Sequence, residues 1–291
     1  MRSGAALGRS KARVAYTAMM NPTLTTADGL TLRLRVWPLD GARGSVVIVH
    51  GLGEHIGRHA RVAAHLNDWG WRVIGYDQRG HGTSEGARGA LARDDDLLRD
   101  LALVVDAVRA QHTGPLILLG HSMGGLVAAR LVADRQRSVD ALILSSPALD
   151  PGMNAFQKLL LAVLGPIAPN LAINNGLKPA WISRDPAVVR AYVDDPLVHD
   201  RVTPRLARFI VDGGAFVRTR APQWSVPTLL IYAGSDRCVA PAGSEAMAAA
   251  APRNVLTARA FAPLFHEIFN EPEQREVFAV LQDWLSSARG S

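Results

Sequence analysis

The sequence predicts an α/β fold: a mostly parallel central sheet flanked by helices, with a helical cap inserted after the sixth strand. Three observations lead there. Short apolar runs such as Ser45–Val49 and Leu116–Leu119 have the length and content of strands buried on both faces. Segments with helical apolar spacing separate them, the alternation expected of a parallel sheet with right-handed crossovers. After Ser145-Ser146-Pro147 the alternation stops for about 80 residues, whereas connections in such units usually run roughly 2 to 6. An insertion that long is expected to be a structure in its own right.

In chain order, Leu32–Trp37 alternates apolar residues with Thr or Arg and reads as an outer strand exposed on one side. Ser45–Val49 is a buried strand ending on His50-Gly51-Leu52-Gly53-Glu54-His55. A helix over 58–68 follows, then a strand at Trp71–Tyr76 and a glycine-bearing loop, Asp77 to Gly82. Asp94 to Gln111 reads as a helix capped by Asp94, with Leu97, Leu98, Leu101, Val104, Val105 and Val108 on one face. Leu116–Leu119 runs into Gly120-His121-Ser122-Met123-Gly124, and the helix-compatible Leu126–Leu131 lies beyond it. Ala141–Leu144 is the next strand. The inserted stretch carries helical patterns at 156–167, 186–193 and 204–216. Strand 227–232, Gly234-Ser235-Asp236, helix 241–250, strand 255–260, a loop with His266 and helix 273–287 complete the chain. The domain reading is a basic extension at 1–20, a core made of 21–147 and 223–288, and a cap at 148–222.

Composition narrows the function. At 291 residues and 48% hydrophobic content, the chain can bury a large core. Of the +6 net charge, four units are Arg2, Arg9, Lys11 and Arg13 in an acid-free first twenty residues, leaving +2 for the rest. No basic stripe interleaved with aromatics follows, so nucleic acid is not an expected partner. The basic leader lacks the apolar core of a secretory signal, and no apolar run approaches the roughly 18 residues of a membrane span. A single cysteine, Cys238, permits no intrachain disulfide and is compatible with a reducing compartment; the localisation expected is cytoplasmic, with peripheral membrane contact. His50 and His55 match no common zinc spacing and no HExxH occurs, so neither metal nor cofactor is expected.

The pentapeptide around Ser122 sits between strand and helix, where its glycines let a strained turn expose the serine at the carboxyl edge of the sheet. A serine hydroxyl is a weak nucleophile, so it needs a base held in one tautomer by a carboxylate. Asp236 and His266 follow the late strands in the chain order this arrangement uses. Asp212 and Asp150 are competing carboxylates, but neither follows a convincing strand. His121 adjoins the serine and is expected to point away along the strand; His65, His112 and His199 read as surface histidines. The N–H groups of Met123 and of Leu52, in its glycine-flanked loop, are the expected oxyanion donors. Glu54, Arg58 and Glu267 read equally as solvated charges or as site residues. Cys238, two residues beyond Asp236, is expected near them.

Six motifs in order, HGLGEHIGRH (50–59), YDQRGHGTSEG (76–86), GHSMGG (120–125), ISRDPAVVRAYVDDPLVH (182–199), GSDRCVAP (234–241) and HEIFNE (266–271), resemble the monoacylglycerol lipase and lysophospholipase group of serine α/β-hydrolases. The resemblance spans residue 21 to the end. It implies the α/β-hydrolase fold, Ser122, Asp236 and His266 as catalytic triad, and Leu52 and Met123 as oxyanion donors. It further implies that Glu54 and Arg58 border a polar pocket for the glycerol end, and that the first cap helix meets lipid. The chain departs from that pattern at Phe269, where vertebrate monoacylglycerol lipases have a second histidine, and at Ala262-Pro263 in place of the usual Pro-Gly pair.

The expected function is carboxylester hydrolysis of a lipid ester, a monoacylglycerol, through an acyl-serine, with lysophospholipase activity as the alternative. Less favoured is a carbon–carbon or prolyl-amide hydrolase on the same fold, since the tryptophan-containing serine elbow of prolyl peptidases is replaced by Met123-Gly124. An inactive binding scaffold would show a damaged triad, and this one is whole. Within helix 156–167, Phe156, Leu159, Leu160, Val163, Leu164 and Ile167 form the face expected to pack downward. Leu161 and Ala162 are surplus to it, which predicts reversible contact with membrane or micelle. Oligomeric state stays open.

Overall fold

Residues 22–287 are described by the computed structural model. The expected extension, residues 1–20, lies outside them. The strands are β1 (Thr23–Thr25), β2 (Thr31–Trp37), β3 (Ser45–Val49), β4 (Arg72–Tyr76), β5 (Leu116–His121), β6 (Ala141–Ser145), β7 (Ile173–Asn174), β8 (Arg201–Val202), β9 (Thr228–Ala233) and β10 (Leu256–Phe261). Eight of them form one sheet in the order β1-β2-β4-β3-β5-β6-β9-β10; β7 and β8 pair separately within the insertion. The β1–β2 and β2–β4 pairings are antiparallel, and every other pairing in the main sheet is parallel.

Alternation of side chains across the sheet explains why the central strands read as continuous apolar runs. Val47 and Val49 of β3 enter one apolar layer while Val46 and Ile48 enter the other, so every position is buried. Residues of β2 alternate as expected, yet β2 is not the edge: Thr23–Thr25, too short to show a period, adds β1 outside it. The helices are α1 (Ala60–Asp68), α2 (Asp96–Gln111), α3 (Met123–Ala133), α4 (Ala155–Ile167), α5 (Pro186–Val193), α6 (Pro204–Arg220), α7 (Pro241–Ala250) and α8 (Gln274–Ser287).

Two predicted helix starts are corrected. Asp94 does not cap α2; its carboxylate meets Arg205 at 2.9 Å, and the helix begins two residues later. Asp96 turns its carboxylate back onto the amides of Ala92 and Arg93, at 2.9 and 2.8 Å, which makes the preceding residues a turn. The predicted helix over 58–68 instead opens with a 3₁₀ turn, Ile56–His59, because the His55 ring accepts the Gly57 N–H at 3.2 Å.

Between β6 and β9 the chain forms α4, α5, α6 and the β7–β8 pair. Leu206, Phe209, Ile210 and Val217 of α6 join the same apolar layer as α2 and α3. By contrast, α4 faces the other way from the prediction. Phe156 is 71% exposed, Leu159 63% and Ile167 77%, with Leu160 and Val163 also exposed. Leu161 and Leu164 are half-buried and Gly165 is buried against Arg208 of α6. The inward stripe is therefore Leu161, Leu164 and Gly165, a set with 3–4 spacing that the richer outward stripe masked in the sequence.

Candidate active site

Ser122 occupies the turn between β5 and α3 with φ 53° and ψ −122°, a left-sided conformation rarely adopted by a side-chain-bearing residue. Close packing over-determines this turn. A Cβ on Gly120 would lie 2.5 Å from the Gly124 carbonyl oxygen, and one on Gly124 would lie 2.1 Å from that of Val49. The second glycine thus admits α3 against the end of β3 rather than against its own strand. Met123 is the first residue of α3, so its N–H lies outside the helix's own hydrogen-bond ladder and at its positive end.

His266 and Asp236 come together across 30 residues: His266 Nδ1 lies 2.7 Å from Asp236 Oδ2. The other oxygen, Asp236 Oδ1, accepts the amides of Cys238 and Val239 at 2.8 and 3.1 Å, which fixes the carboxylate before it meets the ring. Burial works to lower the imidazole pKa, but the Asp236 charge and hydrogen bond prevail and raise it above the ordinary value. His266 and Ser122 line one cavity of about 40 Å³. Among the described residues no hydrogen bond yet joins them, which is common before substrate arrives. The competing carboxylates stand elsewhere: Asp212 is an exposed partner of Arg208 on α6, and Asp150 accepts the Gly152 amide.

The loop carrying Leu52 is held from below by buried polar groups. Glu54 Oε1 accepts the Gly51 N–H at 2.6 Å and also meets His59 Nε2 at 3.1 Å. His50 accepts the Gln78 amide through Nε2 at 2.9 Å, with its Nδ1 2.7 Å from the Gly51 carbonyl. Burial keeps that imidazole below its ordinary pKa, consistent with a neutral ring that donates on one side and accepts on the other. Asp77 ties the Ile56 amide at 2.9 Å to that of Thr83 at 2.8 Å. The next residue after Gly51, Leu52, lines the Ser122 cavity.

Glu54 and Glu267 line the cavity, and Arg58 contacts both of them without lining it. Arg58 Nη2 donates to Glu267 Oε2 at 2.8 Å, its Nη1 lies 3.9 Å from Glu54 Oε2, and its guanidinium covers the Tyr192 ring at 4.6 Å. Burial alone would raise the Glu54 carboxyl, but His59 and Arg58 hold it well below the usual range. Burial raises Glu267, helped by the Glu54 charge and opposed by Arg58.

Three placements depart from expectation. His121 does not point away: it lines the cavity, with its ring 4.8 Å from that of His266 and its Nδ1 3.1 Å from the Ser145 carbonyl. Burial, then the charge of His266, keeps it well below the ordinary histidine pKa. His199 is half-buried beside His81, ring centroids 4.7 Å apart, and its backbone N–H donates to the Gly53 carbonyl at 2.8 Å. Phe269, standing where a second histidine was noted as missing, packs on Phe278 in the lower apolar layer, away from the cavity. Tyr192 and Ile182 of the insertion also line the wall; the motif at 182–199 contains both, but nothing in it gave either a role. Cys238 is there as expected: one donor atom each from Asp236, Cys238 and His266 lies within 4.8 Å of the others. Burial and the Asp236 charge push its thiol pKa up.

Residues 40–273 match the family described as serine aminopeptidase, S33. The chain belongs to this family. Its relatives include a monoacylglycerol lipase of Mycolicibacterium smegmatis, 34% identical over 264 residues that cover 89% of this chain and 94% of that one. A solved monoacylglycerol lipase of Paleococcus ferrophilus superposes with a TM-score of 0.80 at 34% identity, covering 88% of this chain and 99% of the other. An uncharacterized abhydrolase domain-containing protein of Dictyostelium discoideum is 32% identical over 267 residues, and the chain spans 28% of its length. The protein is thus a serine hydrolase of the α/β-hydrolase fold, in the monoacylglycerol lipase group.

Proposed function

We propose that this protein hydrolyses monoacylglycerols to fatty acid and glycerol. Ser122 Oγ attacks the ester carbonyl while His266 Nε2 takes its proton, and Asp236 holds Nδ1 protonated and stabilises the imidazolium. The N–H groups of Leu52 and Met123 stabilise the oxyanion. The tetrahedral intermediate collapses to acyl-Ser122, and the leaving alcohol takes the proton from His266. Water, deprotonated by the same ring, then releases the fatty acid and restores the serine. The observation carrying this reading is the Asp236–His266 pair, at 2.7 Å, opening on the cavity that holds Ser122. The relatives just named support glycerol as the alcohol.

A cavity of about 40 Å³ holds a few waters and no acyl chain, so this reading requires its walls to open when substrate enters. The outward stripe of α4 supports reversible docking on a membrane or micelle through helix 156–167. No helix among the described residues is long and apolar enough to cross a membrane, so any such contact by these helices is peripheral. The test is a panel of esters varying acyl length and head group independently. Monoacylglycerols should lead lysophospholipids and simple esters in kcat/KM, and Ser122→Ala should remove about 10⁴-fold or more of the rate along with labelling by a fluorophosphonate probe. Labelling of another serine, or preference for a phospho head group, overturns the reading.

A further inference from the structure

The Gly51–Leu52 peptide lies against the nucleophile: a Cβ built on Gly51 would stand 3.1 Å from Ser122 Cβ, and both residues line the cavity that holds Ser122. With glycine at 51, side-chain sterics hold this peptide only loosely, so its direction is set by what meets its polar ends. Its carbonyl meets one group among the described residues, His50 Nδ1 at 2.7 Å. The tautomer of that ring follows from its other nitrogen. The backbone N–H of Gln78 donates to His50 Nε2 at 2.9 Å, so Nε2 is bare and the single proton of the neutral ring sits on Nδ1, where it donates to the Gly51 oxygen. Gln78 secures the arrangement a second time, since its side-chain amide donates to the His50 carbonyl at 2.6 Å.

A planar trans peptide sends its C=O and N–H to opposite sides, and no cis bond occurs among the described residues. Anchoring the Gly51 oxygen on His50 therefore turns the Leu52 N–H away from His50, and that N–H donates to no group among the described residues. Were the peptide turned over, the same N–H would face the N–H of the His50 ring, donor against donor, and a carbonyl oxygen would take its place. From this arrangement we infer that His50 is a positioning residue for the oxyanion hole: its Nδ1–H orients the Gly51–Leu52 peptide so that the Leu52 N–H, and not the Gly51 oxygen, faces the ester carbonyl. The inference rests on the acyl-serine reading above. His50 is fully buried and does not line the cavity, so it reaches the ester only through that peptide. Glu54, accepting the Gly51 N–H at 2.6 Å, fixes the preceding peptide unit and leaves the direction of this one open. His81, whose ring lies 5.4 Å from that of His50, has its own Nδ1 at the Arg79 carbonyl, 2.9 Å away, and does not compete for Gly51.

Two variants separate the two ring nitrogens. His50→Asn sets an amide N–H near the place of Nδ1 and gives the Gln78 amide no acceptor; His50→Gln reaches the place of Nε2, where its oxygen can accept that amide, and gives the Gly51 oxygen no donor. On a short soluble ester, His50→Gln should lower kcat about 10²-fold, the size of losing one oxyanion donor, with KM within about threefold. It should weaken by a similar factor the binding of an alkyl trifluoromethyl ketone, which forms an oxyanion on Ser122. His50→Asn should keep kcat within about tenfold of the unmodified protein. With the Gln78 amide left unpaired, His50→Asn should melt no higher than His50→Gln, so the lower rate of the latter is not lost stability. In the unmodified protein, nitrogen NMR of isotope-labelled histidine should show His50 protonated on Nδ1 and bare at Nε2 at neutral pH, a readout that needs no variant to fold. A proton on Nε2, equal rates in the two variants, a larger loss in His50→Asn, or a loss carried by KM overturns the inference while leaving hydrolysis by Ser122 in place. An unmodified protein that neither binds the ketone nor labels at Ser122 overturns the reading beneath it.

Discussion

The two ends of the insertion are built on opposite rules. Residues 182–203 are tied to the rim of the site by polar contacts: Glu271 accepts the Ser183 hydroxyl at 2.8 Å, the Arg184 amide at 2.5 Å and Arg184 Nε at 2.6 Å. His55 Nε2 meets Asp195 at 2.8 Å, and the His199 amide reaches Gly53. Helix α4, at the other end, has its local cap at Asn154 and Gln157 and exposes more apolar surface than it buries. A contact made of buried charge and directed hydrogen bonds is lost all at once when geometry changes, whereas apolar contact is non-directional and can be exchanged for lipid. The tied end is suited to hold Tyr192 and Ile182 in register with the head group. The other is suited to move with the acyl chain and its membrane.

If the chemistry is separate from both ends, Asp236→Asn should remove about 10⁴-fold of the rate on short and long esters alike. Loss confined to long-chain substrate would instead join triad and insertion into one unit. Within the insertion, the sharpest contrast comes from Phe156→Ser with Leu159→Ser. Covering such side chains is worth about 1.5–3 kcal/mol each when complete, so vesicle co-sedimentation and long-chain turnover should both fall at least about tenfold. A short soluble ester should be hydrolysed at its former rate. Leu161→Ser should instead lower thermal stability, since that side chain faces inward. Unchanged vesicle binding in the double variant rules out α4 as the docking surface.

Untying the other end has a smaller effect, and on stability first. Glu271→Ala leaves the amides of Arg184 and Phe265 without an acceptor, while the Ser183 hydroxyl keeps the Asn270 carbonyl, which costs about 1–3 kcal/mol by thermal or denaturant unfolding. Head-group preference should weaken along with it, because Tyr192 and Ile182 lose their anchor. Smallest is a change of slope with pH. The Asp236–His266 pair raises the imidazole pKa, so kcat/KM on a short ester should rise with pH through an inflection above the ordinary histidine value of about 6.5. The stability contribution has the opposite sign: it is complete below the unfolded value and is lost as pH rises through the folded one. In Asp236→Asn, burial is left to dominate, and the His266 titration followed by NMR should move downward. An inflection below 6 in the unmodified protein would falsify the assignment of His266 as the paired base.

The sequence by itself carried the strand runs, the crossover rhythm, the place of the insertion, and the elements that bring Ser122, Asp236 and His266 to one edge. These are legible because burial on both faces, sharp turns and chain order leave local marks: Val46–Val49 must be apolar throughout, and the turn at Ser122 needs Gly120 and Gly124 beside it. What the tertiary structure decided is where residues with no local mark end up. The face that α4 turns outward, the inward turn of His121, the capture of Asp96 by neighbouring amides and the meeting of Arg58 with Glu267 all depend on partners distant in the chain, up to 209 residues away in the last case. A helix with two apolar stripes is symmetric in its own pattern, and a charge on a loop has no preferred side. Only the surfaces packed against them break that symmetry.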